Sequence, residues 1–353
     1  MSKRVSMQDI ADRLQISKNA VSLALNGKPG VSEETRELVV GLAKKLHYGK
    51  LSYKAGSNTE SKNILVFIPE YIRSDSYFYN EIYWSIDYRA SQRGYTAIMG
   101  TITEEMQKNK EMPAVYGGLD FCGFLLVGVF QTEYVQFLME QKTSIFSVDH
   151  IYYGLDLKCV VTANIEGAYY ITRKVIAHNH TKIGFIGSYN VTSSIFERWC
   201  GFQKAMMEAG IPVNQDYVIG DSSPLQTLLS DPEELYQILS NMKNLPTAFV
   251  CGGDRIAIAA MEALKQLGYK IPQDISVVGF DDIELGQFSE PKLTTMHVRR
   301  KTLGKMAVDL LIQEKENHRV AGISSLIPKF VGRDSLIWYV GSGKSKEESE
   351  AQG

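Results

Sequence analysis

A polar surface on the second predicted helix is the feature of this chain best suited to bind another molecule. A helix from Lys18 to Leu25 would place four apolar side chains on one arc, namely Ala20, Val21, Ala24 and Leu25. The opposite arc carries Lys18, Asn19, Ser22 and Leu23. Lys can donate to guanine and Asn can pair with adenine, so this arc suits entry into a DNA groove.

Two further helices position this arc. Ser6 and Asp9 form a candidate capping box for a first helix, in which apolar residues recur at helical spacing from Met7 to Leu14. Ser17 can cap the second helix. A third helix runs to Leu46 and is expected to bury Leu38, Val39, Leu42, Ala43 and Leu46. The short turn between the first two helices fits a crossed helix-turn-helix; an ordinary helical cap on a larger domain is the alternative.

Charge separates this head from the rest of the chain. Residues 1–62 contain eleven Lys and Arg and six Asp and Glu, a net charge of +5; the whole chain carries −2, which leaves −7 for the remainder. A basic head on an acidic body is expected when only the head meets phosphate.

In the body, polar residues recur directly after apolar segments. Eight candidate strands are Ile64–Ile68, Thr96–Thr101, Phe124–Val129, Ser144–Val148, Lys182–Gly187, Thr247–Cys251, Ile275–Phe280 and Thr294–Val298. Helical segments alternate with them, which predicts two parallel sheets covered on both faces. Asp149, Ser188–Asn190, Gly253–Asp254 and Asp281–Asp282 follow four of the strands, and strand ends of this kind bind ligands. For any single Asp, a helix N-cap is the alternative.

Composition narrows the classes of protein. We expect a cytoplasmic protein without a signal peptide or membrane span, since Lys3 and Arg4 precede no apolar run and no segment reaches roughly 18 apolar residues. The four cysteines are scattered and predict free thiols. His178 and His180 have no third candidate ligand, so we expect no metal site and no cofactor.

Several segments resemble the lactose-repressor type (LacI/GalR) of bacterial transcriptional regulators over nearly the full length. They are SMQDIADRLQISKNAVSLALNGKPGVSEETRELV in the head and KIGFIG, ERWCGFQKAMMEAGIP, AFVCGGDRIAIAAMEALKQLGYKIPQDISVVGFDDIELGQF, PKLTT and LIPKFVGRDS in the body. The resemblance implies an α/β protein with an N-terminal three-helix helix-turn-helix head. It also implies a periplasmic-binding-protein-like effector domain of two parallel-sheet α/β subdomains, and no enzymatic activity.

The resemblance also implies a domain division. The DNA-binding head would span residues 1–48, a linker 49–63, and the effector domain 64–340, with residues 341–353 as a disordered tail. The first subdomain would take about 64–160 and 292–323, and the second about 161–291 and 324–340. Connections near residues 160, 290 and 325 would let a cleft between them close on a ligand.

For the head, the resemblance places Lys18 and Asn19 at base-contacting positions in operator DNA. Ser17 and Ser22 are expected to contact phosphates, and Asn26 completes the expected DNA-binding set. Leu23 stands where many members have Arg, and it could pack on a thymine methyl. After Tyr48 the segment GKLSYKAGSNTES lacks the family's hinge pattern, so we expect a flexible linker and less bending of the DNA.

For the body, the resemblance assigns an effector pocket. Phe78 and Tyr79 would stack on the effector, Arg198 would grip hydroxyls or a carboxylate, and Asp254 would accept hydrogen bonds. Asp149 and Asp281 would complete the polar rim, with Tyr189 replacing an aromatic that is lost at Ser222. The alternatives are core packing for Phe78 and Tyr79 and a surface salt bridge for Arg198.

The expected partners are double-stranded operator DNA, a small effector and a second copy of the chain. A sugar or sugar phosphate is the first expectation for the effector, with a nucleobase as the alternative; a homodimer is expected, with a tetramer as the variant. A solute-binding protein with an incidental helical head is one competing hypothesis. A Rossmann-type enzyme is another, but no Gly-x-Gly-x-x-Gly or P-loop motif occurs.

Overall fold

The computed structural model describes residues 6–25, 30–46, 48, 61–74, 78–141, 143–220, 231–316 and 318–340, with the backbone alone at 44, 45, 73 and 74. The chain divides into two compact units, Met1–Glu60 and Ser61–Gly353. The expected hinge segment after Tyr48, including Leu51 and Tyr53, lies almost wholly outside the described residues.

The first unit is a three-helix head with its own core. Its helices are α1 (Met7–Leu14), α2 (Lys18–Leu25) and α3 (Glu33–Lys45). The Ser6 side chain accepts from the Asp9 amide, while the Asp9 carboxylate accepts from the Ser6 amide, so the predicted capping box is present. The apolar faces of the helices meet in one cluster built mainly from Ile10, Ala11, Val21, Ala24, Leu25, Val39 and Ala43.

The buried face of α3 differs from the sequence prediction at one position. Leu38, expected in the core, is 58% exposed, whereas Val40 is buried. The buried set is Arg36, Val39, Val40 and Ala43, which is a regular i, i+3, i+4, i+7 stripe. Arg36 belongs to this stripe, and a face predicted from apolar residues alone therefore points too far toward Leu38.

The second unit begins with a six-stranded parallel sheet of order β11-β5-β4-β3-β1-β2. Its strands are β1 (Asn63–Pro69), β2 (Thr96–Ile102), β3 (Gly123–Val127), β4 (Ser144–Val148), β5 (Lys158–Thr162) and β11 (Ile323–Leu326). Alternate residues of β1 enter two different cores, with Ile64 and Val66 in one and Leu65 and Phe67 in the other. Both faces of the sheet are therefore covered, as its continuous apolar strands predict.

A second parallel sheet of order β7-β6-β8-β9 follows. Its strands are β6 (Ile183–Ile186), β7 (Val218–Ile219), β8 (Ala248–Cys251) and β9 (Ser276–Val278). Val278 bridges to Thr294, and the next strand, β10 (Thr295–His297), pairs antiparallel with β12 (Lys329–Val331).

Helices cover both sheets and carry several site residues. The helices of this unit are α4 (Tyr79–Gln92), α5 (Glu104–Asn109), α6 (Thr132–Met139), α7 (Asn164–Ala177), α8 (Ser193–Glu208), α9 (Pro232–Ser240), α10 (Asp254–Gln266), α11 (Glu284–Phe288) and α12 (Arg300–Lys315). Among the described helices, none is long and apolar enough to cross a membrane.

The chain passes between the two sheets three times. It leaves β5 of the first sheet for α7, which packs on α8; it returns after β10 to α12, which packs on α4; and it passes from β11 to β12. The carboxyl ends of strands from both sheets thus flank the same connections, and the candidate cleft lies there.

Candidate functional site

The exposed arc of α2 is the candidate DNA-contacting surface. Ser17, Lys18 and Asn19 are exposed, while Ser22 and Leu23 are half-buried. The Ser17 hydroxyl accepts a hydrogen bond from the Ala20 amide at 3.0 Å, so it caps the helix as predicted. Asn26 lies outside the described residues.

A buried arginine fixes the carboxyl end of this helix. Arg36 of α3 donates from Nη1 to the Leu23 carbonyl at 3.3 Å and to the Ala24 carbonyl at 3.4 Å, and its Nε lies 3.3 Å from Glu33. The last carbonyls of a helix have no partner within it, and a cation there also suits the helix dipole. That Arg36 binds the last carbonyls of α2 was not predicted from the sequence, although Arg36 falls on the buried stripe of α3.

In the second unit, an arginine at the cleft is held by four neighbours. Arg198 of α8 donates from Nε to Asn164 at 3.0 Å and from Nη1 to the Gly252 carbonyl at 2.6 Å. Its Nη2 lies 3.0 Å from Asp281 Oδ1, and the guanidinium stacks 3.9 Å from the centre of the Phe280 ring. Arg198 is 5% exposed. The ion pair thus joins a buried arginine to a half-buried aspartate, in contrast to the surface salt bridge that the sequence left open.

Asp149 adds a second carboxylate to this cluster. It follows β4, is buried, and has a left-handed backbone with φ of 69°. Burial raises the pKa of its carboxyl to about 7; Arg198 opposes that rise, while Asp281 and Glu197 add to it. Among the described residues, Asp149 Oδ1 has no hydrogen-bond partner, nor does Oγ of the fully buried Ser188, which follows the second-sheet strand β6. Two buried polar atoms at the strand ends of opposite sheets are thus left for a ligand or water.

The predicted aromatic pair divides between core and site. Tyr79, half-buried at the start of α4, donates from its hydroxyl to Asp149 Oδ2 at 3.4 Å. Phe78 is 9% exposed and belongs to the main core, with the Tyr79 ring 5.0 Å away and the Arg300 guanidinium 5.6 Å away. The structure therefore brings Tyr79 to the cluster, while Phe78 packs behind it.

Asp254 is placed differently from the sequence expectation. It is fully buried, and its carboxylate accepts from the Thr295 hydroxyl at 2.5 Å and from the Ile283 amide at 2.9 Å. A Cβ at Gly279 would overlap this carboxylate, so a glycine is required beside it. Burial holds the pKa of Asp254 well above its usual range. Asp254 Oδ2 thus holds the loop that carries Asp281, while Oδ1 binds β10 through Thr295. Asp281 is the acid that meets Arg198.

Tyr189 lines a neighbouring cavity. Its ring stacks on Trp199 at 5.4 Å and 17°, and a Cβ at Gly220 would overlap it. The cavity of about 540 Å³ is bounded by residues 129–132 and 150–153, which follow β3 and β4 of the first sheet, and by residues 189–193 and 196, which follow β6 of the second sheet. Ser222, where the sequence suggested a lost aromatic, lies outside the described residues.

Hydrogen bonds close one side of the cleft beside this cavity. The Ile151 amide, after β4, donates to Ser193 Oγ at 2.9 Å, and the Tyr153 hydroxyl donates to Glu197 at 3.3 Å. Ser193 and Glu197 lie in the first turns of α8, immediately before Arg198. The loop that carries Asp149 is thereby tied to the helix that carries Arg198.

Three residues near the site, Asn164, Glu197 and Arg300, were not predicted from the sequence. Asn164 connects Arg198 to Glu197, donating to Glu197 Oε2 at 3.0 Å. Asn164 begins α7, directly after β5. Because the short strand β5 was not predicted, Asn164 was not predicted to lie at a strand end. Arg300 donates to Glu81 at 2.7 Å and to the carbonyls of Asp281 at 2.5 Å and Asp282 at 3.2 Å. Of these three residues, only Glu197 could have been found from the sequence, because it directly precedes Arg198.

The two histidines considered for a metal serve local packing. His178 contacts the Lys174 carbonyl at 2.7 Å; His180 contacts Thr247 Oγ1 at 2.9 Å and the Ile337 carbonyl at 3.2 Å. Within the described part of the chain, no group of three His, Cys, Asp or Glu side chains is arranged to hold a metal ion.

Comparison with known proteins agrees with both units. Residues 6–50 match the bacterial regulatory proteins of the lacI family, and residues 172–336 match a periplasmic binding protein-like domain. The HTH-type transcriptional repressor PurR of Klebsiella pneumoniae is 30% identical over 339 residues, which cover 94% of this chain and 96% of that protein. The chain belongs to the lacI family. PurR of Vibrio vulnificus is 26% identical over 94% of this chain and 98% of its own length.

Solved structures support the same fold. A complex of the transcriptional regulator CelR with cellobiose superposes with a TM-score of 0.69 at 21% identity, covering 94% of this chain and all of that one. The lac repressor dimer bound to operator and the anti-inducer ONPF gives 0.67 at 22% identity, over 95% and 100%. These structures show the fold, and membership of the lacI family shows the role. The chain is a DNA-binding transcriptional repressor with an effector domain, and its relatives are regulators rather than enzymes.

Proposed function

We propose that this lacI-family repressor reads its operator with the amino-terminal end of α2. Lys18 and Asn19 are exposed there and offer hydrogen bonds to base edges in the major groove. Ser17 and Ser22 would contact phosphates, and Leu23 would face a thymine methyl; Asn26 completes the proposed set. The single observation that carries this proposal is the exposed polar arc of a helix whose opposite side is buried in the head's own core.

We propose further that a small effector binds where Tyr79, Asp149, Arg198 and Asp281 converge. Buried polar atoms without partners among the described residues support this place. Asp254 supports the loop of Asp281, Phe78 supports Tyr79, and Tyr189 borders the adjoining cavity. Cellobiose in the CelR complex makes sugars the first chemistry to test.

We propose the domain division that the resemblance implies, with two subdomain boundaries changed. We keep the head at 1–48, the linker at 49–63 and the effector domain at 64–340. Thr294 bridges to Val278 of the second sheet and β10 pairs with β12, which favours placing 292–298 with the second subdomain. The strand β11 pairs with β5 of the first sheet, which favours placing 324–326 with the first subdomain. We also propose a homodimer in the cytoplasm. The proposed operator DNA supports this location, and the lac repressor, which shares the fold, binds its operator as a dimer.

Selection from random duplexes tests the DNA proposal. The full chain should enrich one sequence, and Lys18→Ala and Asn19→Ala should each weaken binding to it by roughly 5- to 150-fold, the value of one good base contact. Lys265→Ala, an exposed change on α10, should leave binding unchanged. Selection that enriches no sequence, or equal binding by all variants, would overturn the proposal.

A further inference from the structure

One edge of the six-stranded sheet exposes two large apolar side chains. Among the described strands, β11 pairs with β5 alone, so its other side is an edge of the sheet. Ile323 begins β11 and is 59% exposed, and Ile327 directly follows the strand and is 70% exposed. Two exposed isoleucines on one sheet edge are a candidate surface for contact with another protein chain.

The backbone of this edge can accept a further strand. The carbonyls of Gly322 and Leu326 accept hydrogen bonds of 2.8 Å and 2.9 Å from amides of β5 and of the residue after it. Backbone groups of successive residues alternate between the two sides of a strand, so those of Ile323, Ser325 and Ile327 point away from β5. Amides and carbonyls that point outward from a sheet edge are a template for pairing with another strand.

The edge lacks the side chains that usually prevent such pairing. Residues 321–327 read AGISSLI, with neither a charge nor a proline. Edge strands of natural proteins are commonly protected by lysines, prolines or bulges. The nearest charged residues in the sequence, Arg319 and Lys329, lie outside this segment. The edge is therefore suited to an uncharged strand rather than to a charged peptide.

The segment is complementary to itself in an antiparallel arrangement. A two-fold axis through Ser325 places Ile323 of one copy opposite Ile327 of the other, and the outward backbone groups of both copies then face one another. Side chains directly opposite each other in such a pair have Cβ atoms about 4.5–5.5 Å apart, so the isoleucines would shield each other from water. A contact of this symmetry uses the same surface on both chains and closes after two.

The first turns of α7 enlarge this surface beside Ile327. Gly167 of α7 lies against Pro328, and the ring of Tyr170 lies 5.9 Å from that of Phe330. Tyr170 is exposed, and so is Ile165 at the start of the same helix. A second copy would therefore meet apolar side chains beyond the strand itself, as a specific contact between proteins requires.

We propose that two copies of this chain associate through the outer edges of β11, paired antiparallel about Ser325, so that their six-stranded sheets become one continuous sheet. The proposed homodimer does not specify which surfaces meet, and this inference adds a defined contact between copies. If the homodimer forms through another surface, the β11 contact joins two dimers into a tetramer.

Sedimentation velocity of the full chain measures this association. The unmodified protein should have about twice the mass of Ile323→Lys or of Ile327→Lys, because each variant would bury an unpaired charge in the symmetric contact. Met207→Lys is the matched control, since Met207 is 74% exposed on α8, and this variant should keep the full mass. A monomeric unmodified chain, or β11 variants that keep the full mass, would overturn the inference.

A pair of opposite charges tests the register. Ile323→Lys with Ile327→Glu places opposite charges across the proposed strand pair, whereas Ile323→Lys with Met207→Glu introduces the same charges without that pairing. At low salt the first double variant should associate roughly tenfold more tightly than the second, because opposite charges across paired strands stabilise them. Equal association of the two double variants would contradict pairing about Ser325.

Operator selection separates this inference from the proposed function. A chain that enriches one duplex but whose mass is unaffected by Ile323→Lys defeats this inference and leaves operator recognition standing. A chain that loses half its mass in Ile323→Lys but enriches no duplex supports the β11 contact and defeats the proposed function.

Discussion

Burial of the Asp149 side chain should make the stability of the folded protein depend on pH. Its folded-state pKa is raised to about 7, well above the usual range of an aspartate. At a pH between the unfolded-state and folded-state pKa values, Asp149 keeps its proton in the folded chain and has released it in the unfolded chain. The carboxyl therefore contributes stability that is fully present below the unfolded pKa and is lost as pH rises through about 7.

Replacing Asp149 by Asn should remove this dependence. We expect Asp149→Asn to melt at a higher temperature than the unmodified protein at pH 8, because it buries no charge there, and the difference should shrink toward pH 4. Calorimetric melting across pH 4 to 8 measures it, with the exposed Asp216→Asn as the control. A difference that is constant with pH would show that Asp149 has an ordinary pKa.

Among structural elements, the loop between β9 and α11 depends most on distant side chains. Asp281 and Asp282 have φ of 115° and 54°, two consecutive left-handed residues without glycine. Such backbone is strained unless its surroundings hold it. Arg300, the first residue of α12, bonds to both of their carbonyls and to Glu81 of α4. A helix packed on the first sheet thus fixes a loop of the second.

Arg300→Met should weaken this connection while keeping the aliphatic packing. We expect a loss of about 2–4 kcal/mol in the free energy of unfolding, because buried carbonyls lose charge-assisted hydrogen bonds. Lys301→Met is the matched control: Lys301 is 75% exposed and lies 3.8 Å from the same Glu81, so its loss should be below about 1 kcal/mol. Urea unfolding compares the two, and equal losses would contradict this role for Arg300.

The sequence predicted elements better than it predicted contacts. All eight candidate strands overlap observed strands, because long apolar runs are typical of buried parallel strands. It missed β5, β7, β11 and β12, which are two to five residues long, and β11 is half polar. It placed Asp149 and Asp281 directly after strands, and the resemblance supplied Arg198; the structure brings the three side chains together. It could not show that Asp254 faces inward, since that depends on Thr295, forty-one residues away.

In the whole molecule, positive charge is concentrated in the DNA-binding head and negative charge in the rest of the chain. The basic head and acidic body keep phosphate attraction to one end of the chain. An effector in the cleft can change operator affinity only by the difference in its own affinity for the two conformations of the protein. Bonds that tie the Asp149 loop to α8, and Arg300 to the Asp281 loop, join elements packed on different sheets. Opening the cleft would therefore alter them.

Operator titration with and without ligand tests the central claim most directly. Fluorescence anisotropy would use the duplex obtained by selection and a neutral sugar that binds the cleft. In the unmodified protein the sugar should change the operator Kd by about 5- to 150-fold, whereas Asp281→Asn should keep the unliganded affinity and lose most of that change. An operator Kd that stays the same when the cleft is saturated with sugar would contradict the account.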